Sequence, residues 1–164
     1  PLDYRGEEVR LTIDDLRWRW FSTGDAFCKA IVCLYAYFQP CRFDTNGLVK
    51  LDNSWLKVAT SVNYHHFFPK SYLTNNRFEY WKANSVLNIT LVDGYLNKYK
   101  IRARPPSDYM KEFKSNKKLA ETMCTHLIDD IKEYGIWQDD YVRFIERRGE
   151  RVLEELRKRL EPEL

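Results

Sequence analysis

The segment from residue 65 to residue 97 constrains this chain most: His65-His66-Phe67-Phe68-Pro69-Lys70, then Asn88, then Asn97. The stretch leading into His65 reads as extended, and Pro69 fixes the exit from it. Val86 to Val92 is rich in β-branched residues and reads as a strand. Asp93-Gly94 then makes a turn, with Asp93 a candidate cap for a helix from about Gly94 to Lys100. The nine-residue offset between the asparagines leaves room for a strand end, a tight turn and one helical turn. The order is therefore strand, loop, strand, helix, with both histidines at one strand end and Asn97 on the helix.

Helical patterns surround this unit. Thr12-Ile13-Asp14-Asp15 offers a cap for a short helix, and Ser22-Thr23-Gly24-Asp25 breaks it and offers a second cap. Ala26, Phe27, Ala30, Ile31, Leu34, Tyr35 and Phe38 follow at helical spacing. Val32, Cys33 and Tyr37 make that helix apolar nearly all round, which predicts a buried central helix ended by Pro40. Asp44-Thr45-Asn46-Gly47 signals a tight turn. Residues 52–60 fit no single pattern, and 70–84, rich in Asn, Tyr and Lys, read as a long loop with one helical turn at most. Pro105-Pro106-Ser107-Asp108 stops one helix and starts a short one.

Ser115 is a candidate cap for a helix with Leu119, Ala120, Met123, Leu127, Ile128 and Ile131 on its apolar face and Gly135 after its end. Asp139 or Asp140 caps the last helix, whose stripe is Tyr141, Phe144, Ile145, Val152, Leu153, Leu156 and Leu160. Its cations between Arg143 and Arg159 alternate with Glu146, Glu150, Glu154 and Glu155, which reads as a solvated face. Glu154–Lys158 and Glu155–Arg159 are favourably oriented i,i+4 pairs. The expected fold is α+β and mostly helical, with a small sheet at the site.

At 164 residues the chain is one domain by size, and 44% hydrophobic with 31% charged residues makes it soluble and globular rather than disordered. A net charge of +3 leaves any polyanion binding to a local patch. Cys28, Cys33, Cys41 and Cys124 form no CxxC pair, so no structural zinc is expected and the cysteines read as reduced thiols of a cytoplasmic protein, with Cys28 and Cys33 buried. No signal peptide or apolar run of membrane-spanning length occurs, so no membrane partner is expected. The chain begins at Pro1, which predicts a piece cut from a longer protein. His126 reads as a structural histidine on an apolar helix face.

Two adjacent histidines and two asparagines suit phosphodiester hydrolysis. That reaction needs a water deprotonated near neutral pH, and histidine has the right unperturbed pKa. A divalent cation can neutralise charge on the phosphoryl oxygens and on the leaving oxygen. Neutral His and Asn ligands leave its charge largely intact, and a hard ion such as Mg²⁺ keeps positions for water and substrate.

Asn63-Tyr64-His65-His66-Phe67-Phe68-Pro69-Lys70-Ser71-Tyr72-Leu73 and Pro106-Ser107-Asp108-Tyr109 resemble segments of the HNH, or ββα-metal, nucleases. The closest resemblance is to the C-terminal HNH domains of modification-dependent restriction proteins of the GmrSD kind. Thr125-His126-Leu127-Ile128 and Tyr141 to Arg148 resemble that family's closing helices, and Trp18-Arg19-Trp20-Phe21 loosely resembles an upstream aromatic cluster. The resemblance covers about residues 15 to 155. It implies a ββα core over about 58–104, with helical flanks at 12–40 and 107–160. It implies His66 as the general base, His65 and Asn97 as metal ligands, and Asn88 as the residue that holds the catalytic loop. Mg²⁺ or Mn²⁺ is the implied cofactor and DNA the implied substrate.

A ParB-like NTPase domain, usually fused upstream, is the implied partner, and duplex cleavage by one site per chain would suggest paired chains. Lys98, Lys100, Arg102 and Arg104, directly after Asn97, and Lys70 are candidate phosphate contacts. The function expected is a metal-dependent DNA endonuclease of a restriction or antiphage protein. The alternatives are a catalytically weak DNA-binding or scaffolding domain of the same fold, and an RNA-cleaving toxin.

Overall fold

The computed structural model describes residues 11–51 and 63–160. The reading of 52–60, and the start of the expected core at 58, lie outside those residues. The fold is α+β and mostly helical, with a two-stranded sheet.

Helix α1, Ile13–Arg17, begins as its cap predicts: the Thr12 amide and hydroxyl both donate to the Asp15 carboxylate, at 2.8 and 2.7 Å. The next residues run antiparallel beside residues 84–86. The Phe21 amide donates to the Asn84 carbonyl and the Val86 amide to the Arg19 carbonyl, each at 2.8 Å. Helix α2, Ala26–Tyr37, is capped by Asp25, whose Oδ1 accepts from the amides of Phe27 and Cys28 at 2.7 and 3.2 Å. It is not buried all round. Cys28, Ile31, Val32, Leu34 and Tyr35 face the core, while Cys33 is exposed and Tyr37 is 70% exposed. One buried stripe suffices to dock the helix, and the Tyr37 ring lies instead under the Arg159 guanidinium at 4.8 Å. The Asp44–Gly47 turn forms, with Asn46 left-handed at φ 58° and the Arg42 amide donating to the Gly47 carbonyl at 2.7 Å.

Strands β1, Tyr64–His66, and β2, Ile89–Leu91, pair antiparallel, with His65 opposite Thr90 and His66 opposite Ile89. Two helices, α3 (Lys70–Asn75) and α4 (Tyr80–Ala83), occupy the stretch expected to be a loop. Leu73 and Ala83 anchor them in the core, and the Phe78 amide closes α3 by donating to the Leu73 carbonyl at 3.0 Å. So few buried positions leave no apolar stripe to read. The segment expected to be one strand begins with a 3₁₀ turn, Val86–Asn88, so Asn88 precedes β2. The Ser85 hydroxyl starts that turn by accepting from the Leu87 amide at 3.2 Å.

Beyond β2 the Asp93 carboxylate caps the following helix, accepting from the Leu96 amide at 2.9 Å. From Leu96 to Ile101 this helix has wide π-type turns. Helix α5, Pro106–Tyr109, follows Pro105 and passes into a 3₁₀ turn, Met110–Phe113. Helix α6, Leu119–Cys124, is preceded by Lys118 rather than Ser115 and stops well short of Ile131. The chain turns because the buried His126 ring is held between the Thr90 hydroxyl at 2.7 Å and the Cys41 carbonyl at 2.8 Å. Leu127 then takes a left-handed φ of 57°. Gly135 is left-handed, at φ 69°, but it opens a 3₁₀ turn, Ile136–Gln138.

Helix α7, Tyr141–Leu160, is capped by Asp140, whose Oδ1 accepts from the Arg143 amide at 3.1 Å. Asp139 instead accepts from the amide and hydroxyl of Ser107, at 2.8 and 2.6 Å. Helix α7 packs on α1 and on the 86–88 turn. The approach is close at Gly149, where an added Cβ would lie 2.5 Å from Ile13 Cδ1 and 3.0 Å from Leu87 Cδ1. The expectation of a solvated charged face fails at two positions: Arg148 is fully buried and Glu155 nearly so. Glu155 is covered by Arg159, Lys158 and Arg151, which all pair with its carboxylate.

Candidate active site

His65 and His66 close β1. Alternation along the strand puts His65 on the face of Thr90 and His66 on the face of Ile89. The strand ends at His66, and the Phe67 amide continues the pairing by donating to the Asn88 carbonyl at 2.8 Å. His65 is buried; His66 is partly exposed. The His66 Nε2 lies 2.9 Å from Asn84 Oδ1. Burial pushes the His66 pKa down to about 4, opposed by the hydrogen bond to Asn84 and aided by the Lys70 charge. The ring is therefore neutral near pH 7, the state a proton acceptor needs.

The Asn88 side chain pins the loop leaving His66. Asn88 is fully buried; its Oδ1 accepts from the Phe68 amide at 2.8 Å. Its Nδ2 donates to the carbonyls of Phe68 and Ala83, at 2.9 and 3.0 Å. Three bonds of a buried carboxamide join the exit from β1, the end of α4 and the start of β2. Below the loop, Phe67 stacks on Phe144 with centroids 4.8 Å apart, and the Tyr109 hydroxyl donates to the Phe67 carbonyl at 2.7 Å.

Arg148 fixes Asn88 from beneath. Its Nη1 donates to the carbonyls of Leu87 and Ile89, the two neighbours of Asn88, at 2.8 and 2.7 Å. Its Nη2 donates to the His126 carbonyl at 3.1 Å, and the guanidinium lies 4.6 Å from the Tyr35 ring centre. Sequence reasoning missed this residue. The signal was present: Arg148 stands four residues after Phe144 and four before Val152, in the middle of the apolar stripe.

Residues 15–154 match the model of the C-terminal domain of the GmrSD restriction endonucleases. The chain belongs to that family. It is thus a nuclease domain of the restriction-endonuclease type. No curated protein and no solved structure matches it.

In this GmrSD domain Asn97 is the second residue of the π-type stretch of its helix, and the expected role of its side chain lies outside what the structure describes. Among the described residues no group of three or more His, Cys, Asp or Glu could enclose an ion. The expected donors, the His65 imidazole and the Asn97 carboxamide, would form a sparse neutral set that leaves most positions of a divalent ion to water and phosphate oxygens.

The candidate phosphate contacts divide. Lys100 and Arg104 both pair with Glu112, at 3.0 and 2.6 Å, and Arg104 also lies 3.6 Å from Asp108. Lys98 extends over the exposed Tyr99 ring at 5.3 Å, and Arg102 is exposed with a left-handed φ of 53°. Lys70 lies 5.3 Å from the Tyr80 ring centre. Among the described residues Lys70, Lys98 and Arg102 have no carboxylate partner.

Proposed function

We propose that this GmrSD C-terminal domain is a metal-dependent HNH endonuclease that hydrolyses DNA phosphodiesters. The observation that carries the reading is the Asn88 clamp beside a neutral, partly exposed His66: a buried carboxamide fixes the loop that leaves the base. In this reading His66 accepts a proton from water, and the resulting hydroxide attacks phosphorus. The bond to the 3′ oxygen breaks, leaving 5′-phosphate and 3′-hydroxyl ends. His65 and Asn97 would hold Mg²⁺ or Mn²⁺, which supplies Lewis-acid stabilisation of the phosphoryl and leaving oxygens when bound. Asn88 holds the geometry and does not touch the reacting atoms. Lys70, Lys98 and Arg102 contact phosphates flanking the cut; Lys100 and Arg104 contribute only where DNA displaces Glu112. In this reading target choice and any nucleotide dependence lie beyond this chain, with a ParB-like NTPase domain of the same protein as the expected partner and the cytoplasm as the place of action.

The test is incubation of the purified chain with supercoiled plasmid and with RNA, in Mg²⁺, Mn²⁺ or EDTA. Nicking of plasmid that requires the metal and spares RNA is expected. Cleavage of RNA alone would make the chain an RNA-cleaving toxin domain. DNA binding without cleavage in either metal would make it a binding module.

A further inference from the structure

We propose that Asn84 is a positioning residue that selects the tautomer of His66, leaving Nδ1 as the bare nitrogen that takes the proton from water. The inference rests on the reading of His66 as the general base and adds to it the atom that acts and the residue that chooses it.

The Phe21 carbonyl can only accept a hydrogen bond, and it lies 3.0 Å from the Asn84 Nδ2 position. The amide end of Asn84 must therefore face Phe21, and the carbonyl end, Oδ1, must face His66 Nε2 at 2.9 Å. Oδ1 in turn can only accept, so the hydrogen of that bond sits on Nε2. A neutral imidazole carries one N–H, which leaves Nδ1 with a lone pair. Flipping the Asn84 amide would set oxygen against oxygen at Phe21, so this orientation alone satisfies both partners.

The surroundings keep the amide there. Asn84 is buried, and its own carbonyl accepts from the Phe21 amide at 2.8 Å. One residue on, the fully buried Ser85 hydroxyl donates to the Arg17 carbonyl at 3.1 Å. The Trp18-Arg19-Trp20-Phe21 segment thus acts as a rail that presents the Phe21 carbonyl to Asn84. This gives the upstream aromatic cluster a role that neither its composition nor its spacing revealed.

The proton balance is closed. Nδ1 takes one proton from water, hydroxide forms the new P–O bond, and the 3′ oxygen leaves with a proton from solvent. The imidazolium then carries hydrogen on both nitrogens and returns one to solvent. The Nε2–H bond to Asn84 persists in both states, so Asn84 also stabilises the charged ring as it forms, as an orienting acceptor does in other acid–base sites.

The experiment reads the tautomer directly. The whole chain, labelled with ¹⁵N-histidine and kept in EDTA, is studied by long-range ¹H–¹⁵N correlation spectra. Its three histidines give three ring patterns, and His66→Gln identifies the one that matters. The wild type should show His66 with hydrogen on Nε2 and a bare Nδ1. Asn84→Ala, which leaves no acceptor for the Nε2 hydrogen, should lose that pattern. In plasmid nicking, Asn84→Ala should lower kcat on the order of 10- to 100-fold with plasmid affinity unchanged.

A wild-type ring with hydrogen on Nδ1, or a pattern unchanged in Asn84→Ala, would overturn the role given to Asn84 while leaving His66 as the base. Wild-type nicking by His66→Ala would instead overturn the base itself, and Asn84's role with it.

Discussion

The segment around His66 is tied down by a set of buried polar bonds, whereas the helix carrying Asn97 relies on a cap, two core residues and surface ion pairs. On the first side, Asn88, Arg148 and Asn84 are all buried and between them bond to seven backbone carbonyl or amide groups and to the His66 ring. On the second, the helix is fixed by the Asp93 cap, by Leu96 and Ile101 in the core, and by two ion pairs to Glu112. Its π-type turns and its exposed Tyr95, Lys98 and Tyr99 face solvent. Buried bonds hold geometry because breaking them strands polar groups away from water; surface ion pairs hold it weakly. The segment around His66 is therefore held rigidly, and the helix carrying Asn97 is held less firmly.

The comparison breaks first at Arg148. Arg148→Ala leaves three buried carbonyls without this donor and opens a cavity beside Tyr35, so stability should fall by roughly 4 kcal/mol in urea unfolding. A change under 1 kcal/mol would show that the base side is not held from beneath. Asn88→Ala should cost on the order of 3 kcal/mol, with metal-dependent nicking falling further than stability explains. Full activity in the folded variant would mean that the loop needs no clamp.

Acid should act on the same side. Burial pushes the His126 pKa down to about 4, opposed by its bond to the Cys41 carbonyl and aided by the Arg148 charge. The unfolded chain then binds more protons between the unfolded value near 6.5 and about 4. Stability should be fully present above about pH 6.5 and decline as pH falls through about 4, by about 3 kcal/mol from this group. His66 shifts in the same direction. His126→Gln should flatten that slope in a series of urea melts, and an unchanged slope would remove His126 from the account.

The smallest effect belongs to the other side. Glu112→Gln breaks the pairs to Lys100 and Arg104, and stability should change by only about 0–1 kcal/mol. The freed cations should steepen the salt dependence of duplex binding by up to about 2 in log–log slope. An unchanged slope would mean that this helix end does not face DNA.

Much of the fold was legible where the signal is local. Thr12, Asp25, Asp93 and Asp140 cap the helices they announce, and the turn at Asn46-Gly47 forms as its residues require. What was illegible depends on distant partners. α6 stops early because His126 is drawn toward Thr90 and Cys41, a bond across 85 residues in the second case. α3 and α4 bury too few residues to leave a stripe, and Asn88 ends a turn because Ser85 starts one. At the site, His65, His66, Asn88 and Asn97 stood out by order and spacing. Asn84 did not, because its meaning lies in a carbonyl 63 residues away. Arg148 was misread because charge at that position suggested solvent, although its place in the stripe pointed inward.

Nicking of supercoiled plasmid by the wild type and by His66→Ala tests most directly whether His66 is the base of a metal-dependent DNA nuclease. With Mg²⁺ or Mn²⁺ the variant should lose on the order of 10²–10⁴ in rate while its fold and DNA affinity stay intact, and EDTA should silence the wild type. A folded His66→Ala protein that nicks at the wild-type rate, free of contaminating nuclease, would contradict the account.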